Sequence, residues 1–235
     1  MEDTLARGEA VRKMFAAIAP CYDLLNRLLS FGRDRFWRRI ACAQVHLPPG
    51  SLVLDVCCGT ADIALEVVRQ FQDAKVVGVD FCQEMLVLGR GKVGRAGFEG
   101  RVHLQAAEAS ALPFQDGSFE AAFVAFGIRN VVDYEKGLAE LRRVVKPGGK
   151  VILLEFAMPE GRLFGPVYRL YFQRLLPWIG HLISGHPFAY SYLPASVLEF
   201  PNAKALDELL LRVGFREVRS FPLTGGVVAV HIGIK

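Results

Sequence analysis

The chain has 235 residues, 52% of them apolar and 22% charged, with a formal net charge of +4. This composition excludes an intrinsically disordered chain and supplies one large core, without demanding two full domains. The mild positive excess suits an anionic surface, but it falls far short of the dense Lys/Arg track of a nucleic-acid binder, so no nucleic acid is expected as partner.

Five cysteines, Cys21, Cys42, Cys57, Cys58 and Cys82, form an odd set with no CxxC spacing. That usage predicts reduced thiols in a cytoplasmic protein and no metal site. The opening MEDTLARGEA has no apolar core of the kind a signal peptide carries. The longest apolar candidate, Phe164 to Ser184, is broken by Arg169, Arg174, Pro177 and His181, which predicts no spanning helix.

The first 48 residues read as a helical cap. Apolar residues recur at three- and four-residue spacing between Val11 and Val45, with a break near Ser30–Gly32. Leu47-Pro-Pro-Gly50 punctuates the chain before a strand at Leu52–Val56 and a helix through Ala61–Phe71. A strand at Lys75–Asp80, a helix through Gln83–Arg95 and a strand at Val102–Ala106 follow. Next come a strand at Phe119–Ala125, a helix through Tyr134–Val145, a turn at Pro147-Gly148-Gly149 and a strand at Val151–Phe156. Such alternation predicts an α/β, Rossmann-like, mostly parallel sheet, and its continuous apolar strands predict cover on both faces. Residues 159–201, rich in aromatics, Pro and Gly, read as a helical insertion, a lid over the sheet. A helix at Asn202–Val213 then leads to strands at Phe215–Ser220 and Val227–Ile234, joined by Thr224-Gly225-Gly226, which predicts an antiparallel last strand. The whole reads as one domain, 1–235, of seven strands.

The informative stretch is Leu52-Val-Leu-Asp-Val-Cys-Cys-Gly-Thr-Ala-Asp62, a buried strand that ends on an acid and a Gly-containing turn before a helix. In open α/β sheets ligands bind beyond the carboxyl ends of the strands, and a helix N-terminus favours a ligand carboxylate. Asp80 closes the second strand, placed to accept from both hydroxyls of a ribose, and Glu108-Ala109 follows the third, where an adenine would lie. Asp55, Asp80 and Glu108 together predict S-adenosylmethionine as cofactor. NAD fits less well: its pyrophosphate wants G-x-G-x-x-G, and this turn holds Gly59 alone, with Cys57 and Ala61 where other glycines would sit. A competing reading makes Asp55 and Asp80 helix caps.

Beyond these core features, Tyr22-Asp23-x-x-Asn26-x-x-x-Ser30 with Trp37, Phe126-Gly-Ile-Arg-Asn-Val131, Leu154-Glu155-Phe156, Tyr190-x-Tyr192-Leu193-Pro194, Phe200-Pro201 and Leu223–His231 form a set. On these blocks, which run from about residue 11 to the end, the chain resembles the ubiquinone/menaquinone biosynthesis C-methyltransferases, the UbiE/MenG family. The resemblance implies methyl transfer from S-adenosylmethionine to a ring carbon of a polyprenylated quinol, demethylmenaquinol in a menaquinone pathway. A dual menaquinone and ubiquinone role is the alternative. Carried over by position, Thr60, Asp80, Glu108 and Ala109 contact the cofactor. The chain departs from the family's usual residues at Ala61 (glycine), Asp34 (often histidine), Glu108 (Asp or Asn) and Ala125 (often serine).

A quinol carbon becomes a better nucleophile when its neighbouring hydroxyl loses a proton, so a cation or base is expected near the end of the fourth strand. Arg129 is expected to stabilise phenolate charge and Asn130 to orient the quinol oxygen; the structural alternative pairs Arg129 with a carboxylate and makes Asn130 a cap. Tyr22, Asp23, His186 and water are the candidate proton acceptors, while His103 and His231 fall within strands. The aromatic insertion with Arg162, Arg169 and Arg174, and the run Arg33–Arg39, suggest peripheral contact with the inner face of a membrane. A packed helix pair or a homodimer contact is the alternative. A methyltransferase of soluble small molecules, one of nucleic acids and a non-catalytic binding protein are the competing functions.

Overall fold

In the computed structural model the described residues are 2–159, 161, 164–176 and 187–235, with side chains described over 6–159, 161, 165–176 and 192–235. The apolar runs form strands β1 (Leu52–Val56), β2 (Lys75–Asp80), β3 (Val102–Ala106), β4 (Phe119–Ala125), β5 (Val145–Phe156), β6 (Arg216–Leu223) and β7 (Val228–Ile234). They make one sheet in the order β3-β2-β1-β4-β5-β7-β6. The first five strands pair in parallel, whereas β7 runs antiparallel to both β5 and β6. Chain direction through the sheet reverses between β1 and β4, and the crevice beyond such a switch point is where this class of sheet binds ligands.

Helices cover both faces. They are α1 (Glu2–Ile18), α2 (Tyr22–Leu29), α3 (Arg33–Cys42), α4 (Asp62–Gln70), α5 (Gln83–Arg95), α6 (Tyr134–Val144), α7 (Phe164–Leu170), α8 (Pro187–Glu199) and α9 (Ala203–Val213). Strand alternation divides the core. Phe123 packs with Leu65, Val68 and Leu86 beneath α4 and α5, while its neighbours Ala122 and Val124 pack with Leu138, Leu141 and Leu209 beneath α6 and α9. Each such large side chain, fully buried, contributes about 1.5–3 kcal/mol.

The cap begins at Glu2, about two and a half turns before its apolar periodicity, and it breaks twice, at Ala19–Cys21 and at Ser30–Gly32. Pro20 forces the first break and the left-handed Gly32 (φ 75°) the second. The insertion forms α7, a π turn at Tyr171–Leu175 and α8. It packs on the cap through Met14, Ile18, Leu25, Phe172, Leu176 and Val197. Pro147–Gly149 is absorbed into an irregular start of β5, where the register against β4 shifts between Phe119 and Ala121. There Gly149 lies so close to Val145 and the Glu120 carbonyl (2.5 and 2.6 Å from any added Cβ) that no side chain fits.

Candidate active site

A cavity of about 500 Å³ opens beyond the ends of β1, β2 and β4, within the size range of small-molecule sites. The turn after β1 shapes its floor. Cys57, Gly59 and Ala61 all adopt left-handed backbone (φ 55°, 52° and 68°), so the chain reverses within five residues and starts α4. Gly59 lines the cavity, and a Cβ there would meet no protein atom within 4 Å, leaving that space to a ligand. Gly89 lets α5 approach the same turn, since an added Cβ would stand 3.3 Å from the Thr60 backbone.

Asp80 lines the cavity with its carboxylate held by two backbone amides, Gly59 at 2.8 Å and Cys82 at 2.9 Å. Burial pushes its pKa up to about 6, against those two hydrogen bonds. Glu108, Ala109, Phe81 and Met85 complete an acidic and apolar wall suited to a nucleoside with free hydroxyls and no phosphate. From α1, Gly8 and Glu9 reach the cavity as well.

Asp55 and Thr60 lie elsewhere. Asp55 is 1% exposed, and its carboxyl accepts from the Ala64 amide at 3.0 Å in the first turn of α4; burial pushes it up to about 8, so it stays protonated at neutral pH. Thr60 donates to Asp23 at 2.6 Å and accepts from Lys92 at 3.0 Å. These belong to a half-buried network: Lys92 also pairs with Asp23 and Asp62, Arg38 with Asp62 and Asp34, and Arg27 with Asp34. Burial raises Asp62, but the charges of Arg38 and Lys92 outweigh it and leave its pKa below the ordinary value. Asp34 thus holds two arginines of the cap in place.

A second cavity of about 470 Å³, lined mostly by apolar surface with Arg33, Asp34, Arg38 and Arg129 at its wall, lies under the cap and the insertion. Trp37, Phe126, Phe156, Tyr168 and Phe172 line it, and Trp37 is fixed by its indole N–H on the Thr224 hydroxyl at 2.7 Å. Phe15, Tyr22 and Phe126 line both cavities and so form their common wall. Phe126 is a bend in left-handed backbone (φ 58°), and next to it an added Cβ on Gly127 would stand 2.4 Å from the Cys57 Cβ.

Arg129 lines the apolar cavity and Asn130 the polar one. The Arg129 guanidinium donates to the Glu155 carboxylate at 3.0 Å and to the Phe126 carbonyl at 2.5 Å, and lies 5.4 Å from the Phe156 ring centroid. Both ends of this ion pair are buried, with side chains 7% and 2% exposed. Asn130 donates weakly to the Phe126 carbonyl and accepts from the Tyr192 hydroxyl at 3.1 Å. Burial raises the Tyr22 pKa, which keeps it a phenol at neutral pH. His186 lies outside the described residues; His103 is exposed on β3, and buried His231 pairs with Asp207 at 2.6 Å.

The polar cavity therefore gathers Gly59, Asp80, Glu108, Ala109, Asn130 and Tyr22, with Arg129 across the shared wall and Asp55 and Thr60 behind it. Glu155 and Lys92 escaped the residue-by-residue reading. A carboxylate inside the continuous apolar strand VILLEF is a signal that could have found Glu155. Nothing local marks Lys92, because its partners come from residues 23, 60 and 62.

Residues 3–235 match the model of the ubiE/COQ5 methyltransferase family. A ubiquinone/menaquinone biosynthesis C-methyltransferase of Geobacter sp. is 50% identical over 97% of both chains. Demethylmenaquinone methyltransferases of Thermus thermophilus (50%, over 94% of this chain and 99% of the other) and Deinococcus radiodurans (47%, over 99% and 95%) are similar to the same degree. Among solved structures the chain resembles the [4+2]-cyclase SpnF (TM-score 0.71, 17% identity, 96% and 94% covered). It also resembles an S-adenosylmethionine-dependent methyltransferase from Aquifex aeolicus (TM-score 0.64, 20% identity, 90% and 97% covered). At those identities the likeness is one of fold, the class I methyltransferase sheet with its antiparallel last strand. Matched along nearly its whole length by the family model and by relatives at about half identity, the chain belongs to the ubiE/COQ5 methyltransferase family.

Proposed function

We propose that this chain methylates a ring carbon of a polyprenylated quinol, demethylmenaquinol in the first instance, with S-adenosylmethionine as donor. The observation that carries the reading is the shared wall: a polar, carboxylate-bearing cavity and an apolar, aromatic one meet at Phe15, Tyr22 and Phe126. The names of the relatives from Thermus and Deinococcus support the same substrate. When bound, S-adenosylmethionine supplies an electrophilic sulfonium methyl, so catalysis reduces largely to alignment of the acceptor.

The residues then take these roles. Asp80, prearranged by the Gly59 and Cys82 amides, accepts from the sugar hydroxyls, and Glu108 and Ala109 border the base. Asp55 supports the site from behind by fixing the first turn of α4. Arg129 stabilises negative charge that develops on the quinol oxygen, held in orientation by Glu155 and Phe126. Asn130, positioned by Tyr192, orients the quinol oxygen. Tyr22 positions substrate and donor as a neutral phenol at the boundary; its raised pKa makes it a poor base. Asp23 is equally ill suited, since Thr60 and Lys92 already occupy its carboxylate. The lipid tail of such a substrate demands pick-up at a bilayer surface, and among the described residues no helix is long and apolar enough to cross one.

A dual role in both quinone branches is the second reading, favoured by the name of the Geobacter relative. Transfer of labelled methyl to a reduced demethylmenaquinone analogue, beside a benzoquinol analogue of the ubiquinone branch, tests both. Label in the naphthoquinol alone supports the first reading, and label in both supports the dual one. Intact cofactor binding with label in neither removes the quinol proposal.

A further inference from the structure

The apolar cavity has a mouth, and the surface around it is unlike the rest of the molecule. Phe31 and Val167 line the cavity while remaining 80% and 67% exposed. Leu24, Leu28 and Phe31 follow at helical spacing along α2 and its turn, and Val167, Leu170 and Leu175 along α7 and the π turn. With Phe36 they make seven of the twelve exposed large apolar side chains among the described residues. The two segments are joined: the Tyr171 hydroxyl donates to the Leu29 carbonyl at 2.8 Å, and the rings of Phe31 and Tyr171 lie 5.9 Å apart.

Charge on these segments is predominantly positive; the one acid at the start of α2, Asp23, is neutralised by Lys92 and bonded by Thr60. Between residues 24–39 and 165–176 the only acid is Asp34, 3% exposed and held by Arg27 and Arg38. Arg33, Arg35, Arg39, Arg169 and Arg174 are exposed. Exposed apolar side chains interleaved with arginines, without an exposed acid, match an anionic lipid interface: the apolar groups enter the acyl boundary and the guanidinium groups meet the headgroups.

We propose that this face, formed by α2 and its turn with α7 and the π turn, docks on an anionic bilayer and holds the cavity mouth against the lipid. The inference rests on the quinol reading, because it gives the cavity's apolar ligand a route that never crosses water. The bilayer, rather than a second copy of the chain, is the occupant, since two such basic faces repel each other whereas an anionic surface complements both charge and apolarity.

The test uses the full chain and two double variants outside both cavities, Leu28→Glu/Leu170→Glu and Arg169→Gln/Arg174→Gln. Co-sedimentation is measured with vesicles of phosphatidylcholine and with vesicles enriched in phosphatidylglycerol. Wild-type protein is expected to partition onto the anionic vesicles and to be released by salt. Each double variant should lose roughly tenfold or more of that partition. S-adenosylmethionine affinity and turnover of a short-tailed, water-dispersed quinol should stay unchanged, while turnover of a long-tailed quinol embedded in vesicles falls with the partition. Equal sedimentation of wild type and variants, or no preference for anionic lipid, overturns the proposal. So does a wild-type dimer in light scattering that the leucine variant dissociates. If the wild type binds vesicles through this face yet methylates neither quinol, the docking surface stands and the quinol reading falls.

Discussion

The two cavities are built in opposite ways. The polar one is assembled from short pieces of chain at strand ends, residues 57–59, 80–81, 107–110 and 125–133, with the backbone itself as a main component. The apolar one draws side chains from Met14 to Val227, through the cap, β4, β5 and the insertion. The sheet and its tight turn thus supply most of the polar cavity, which Gly8, Glu9, Phe15 and Tyr22 of the cap close on one side. The choice of acceptor falls to helices that the sheet does not require. On the proposed function, the sheet carries most of the donor contacts, and the helices laid across it select the acceptor.

The largest test of that division is at Arg129, on the acceptor side. Replacing it alone strands Glu155 as a buried charge, so the informative variant is Arg129→Ala with Glu155→Gln. We expect turnover to fall by roughly 10²–10³-fold, as for the loss of a positioned oxyanion donor, with cofactor affinity nearly unchanged in calorimetry. Equal losses in both would sink the assigned role.

On the donor side, Asp80→Asn should weaken S-adenosylmethionine binding by about tenfold at pH 7.5, about 1.4 kcal/mol. The sign with pH follows from a raised acid pKa. Above about 6 the Asp80 carboxylate is charged and a strong acceptor; as pH falls through 6 it gains a proton and affinity declines. Titration calorimetry from pH 5 to 8 should show this slope in the wild type and a flat line in the variant.

A test with the smallest expected effect on activity, read on stability instead, sharpens the boundary between the two regions. Gly127→Ala drives a Cβ into Cys57, whereas Cys57→Gly removes both that contact and a left-handed non-glycine residue. A double-mutant cycle in urea should give a favourable coupling of about 1–3 kcal/mol. Additive losses would mean that the loops after β1 and β4 do not constrain each other.

The strands were legible because burial on both faces writes them as unbroken apolar runs; β3 and β4 fall where their sequences place them. The polar cavity proposed for the donor was legible for the same local reason, an acid at a strand end beside a turn of small residues: Asp80, Glu108 and Gly59 line it together. Asp55 illustrates the limit. Its position in the strand is the same kind of signal, yet the start of α4 claims its carboxyl, and capping and ligand contact look identical in sequence. The partnership of Arg129 with Glu155 spans 26 residues and two strands, so only the β4–β5 pairing brings it into being. The insertion was legible as helical but not in its bounds, because Pro166 and Pro194 interrupt the apolar spacing that would mark where α7 and α8 begin and end.

The common wall of Phe15, Tyr22 and Phe126 carries a thermodynamic corollary. A partition made of three side chains, two of them on the cap, responds to whatever presses on either side. Any change that donor binding makes in acceptor affinity must be returned in equal measure when the acceptor binds first. The cap is then a meter of joint occupancy, and the factor by which the two ligands alter each other's dissociation constants measures the stiffness of that wall.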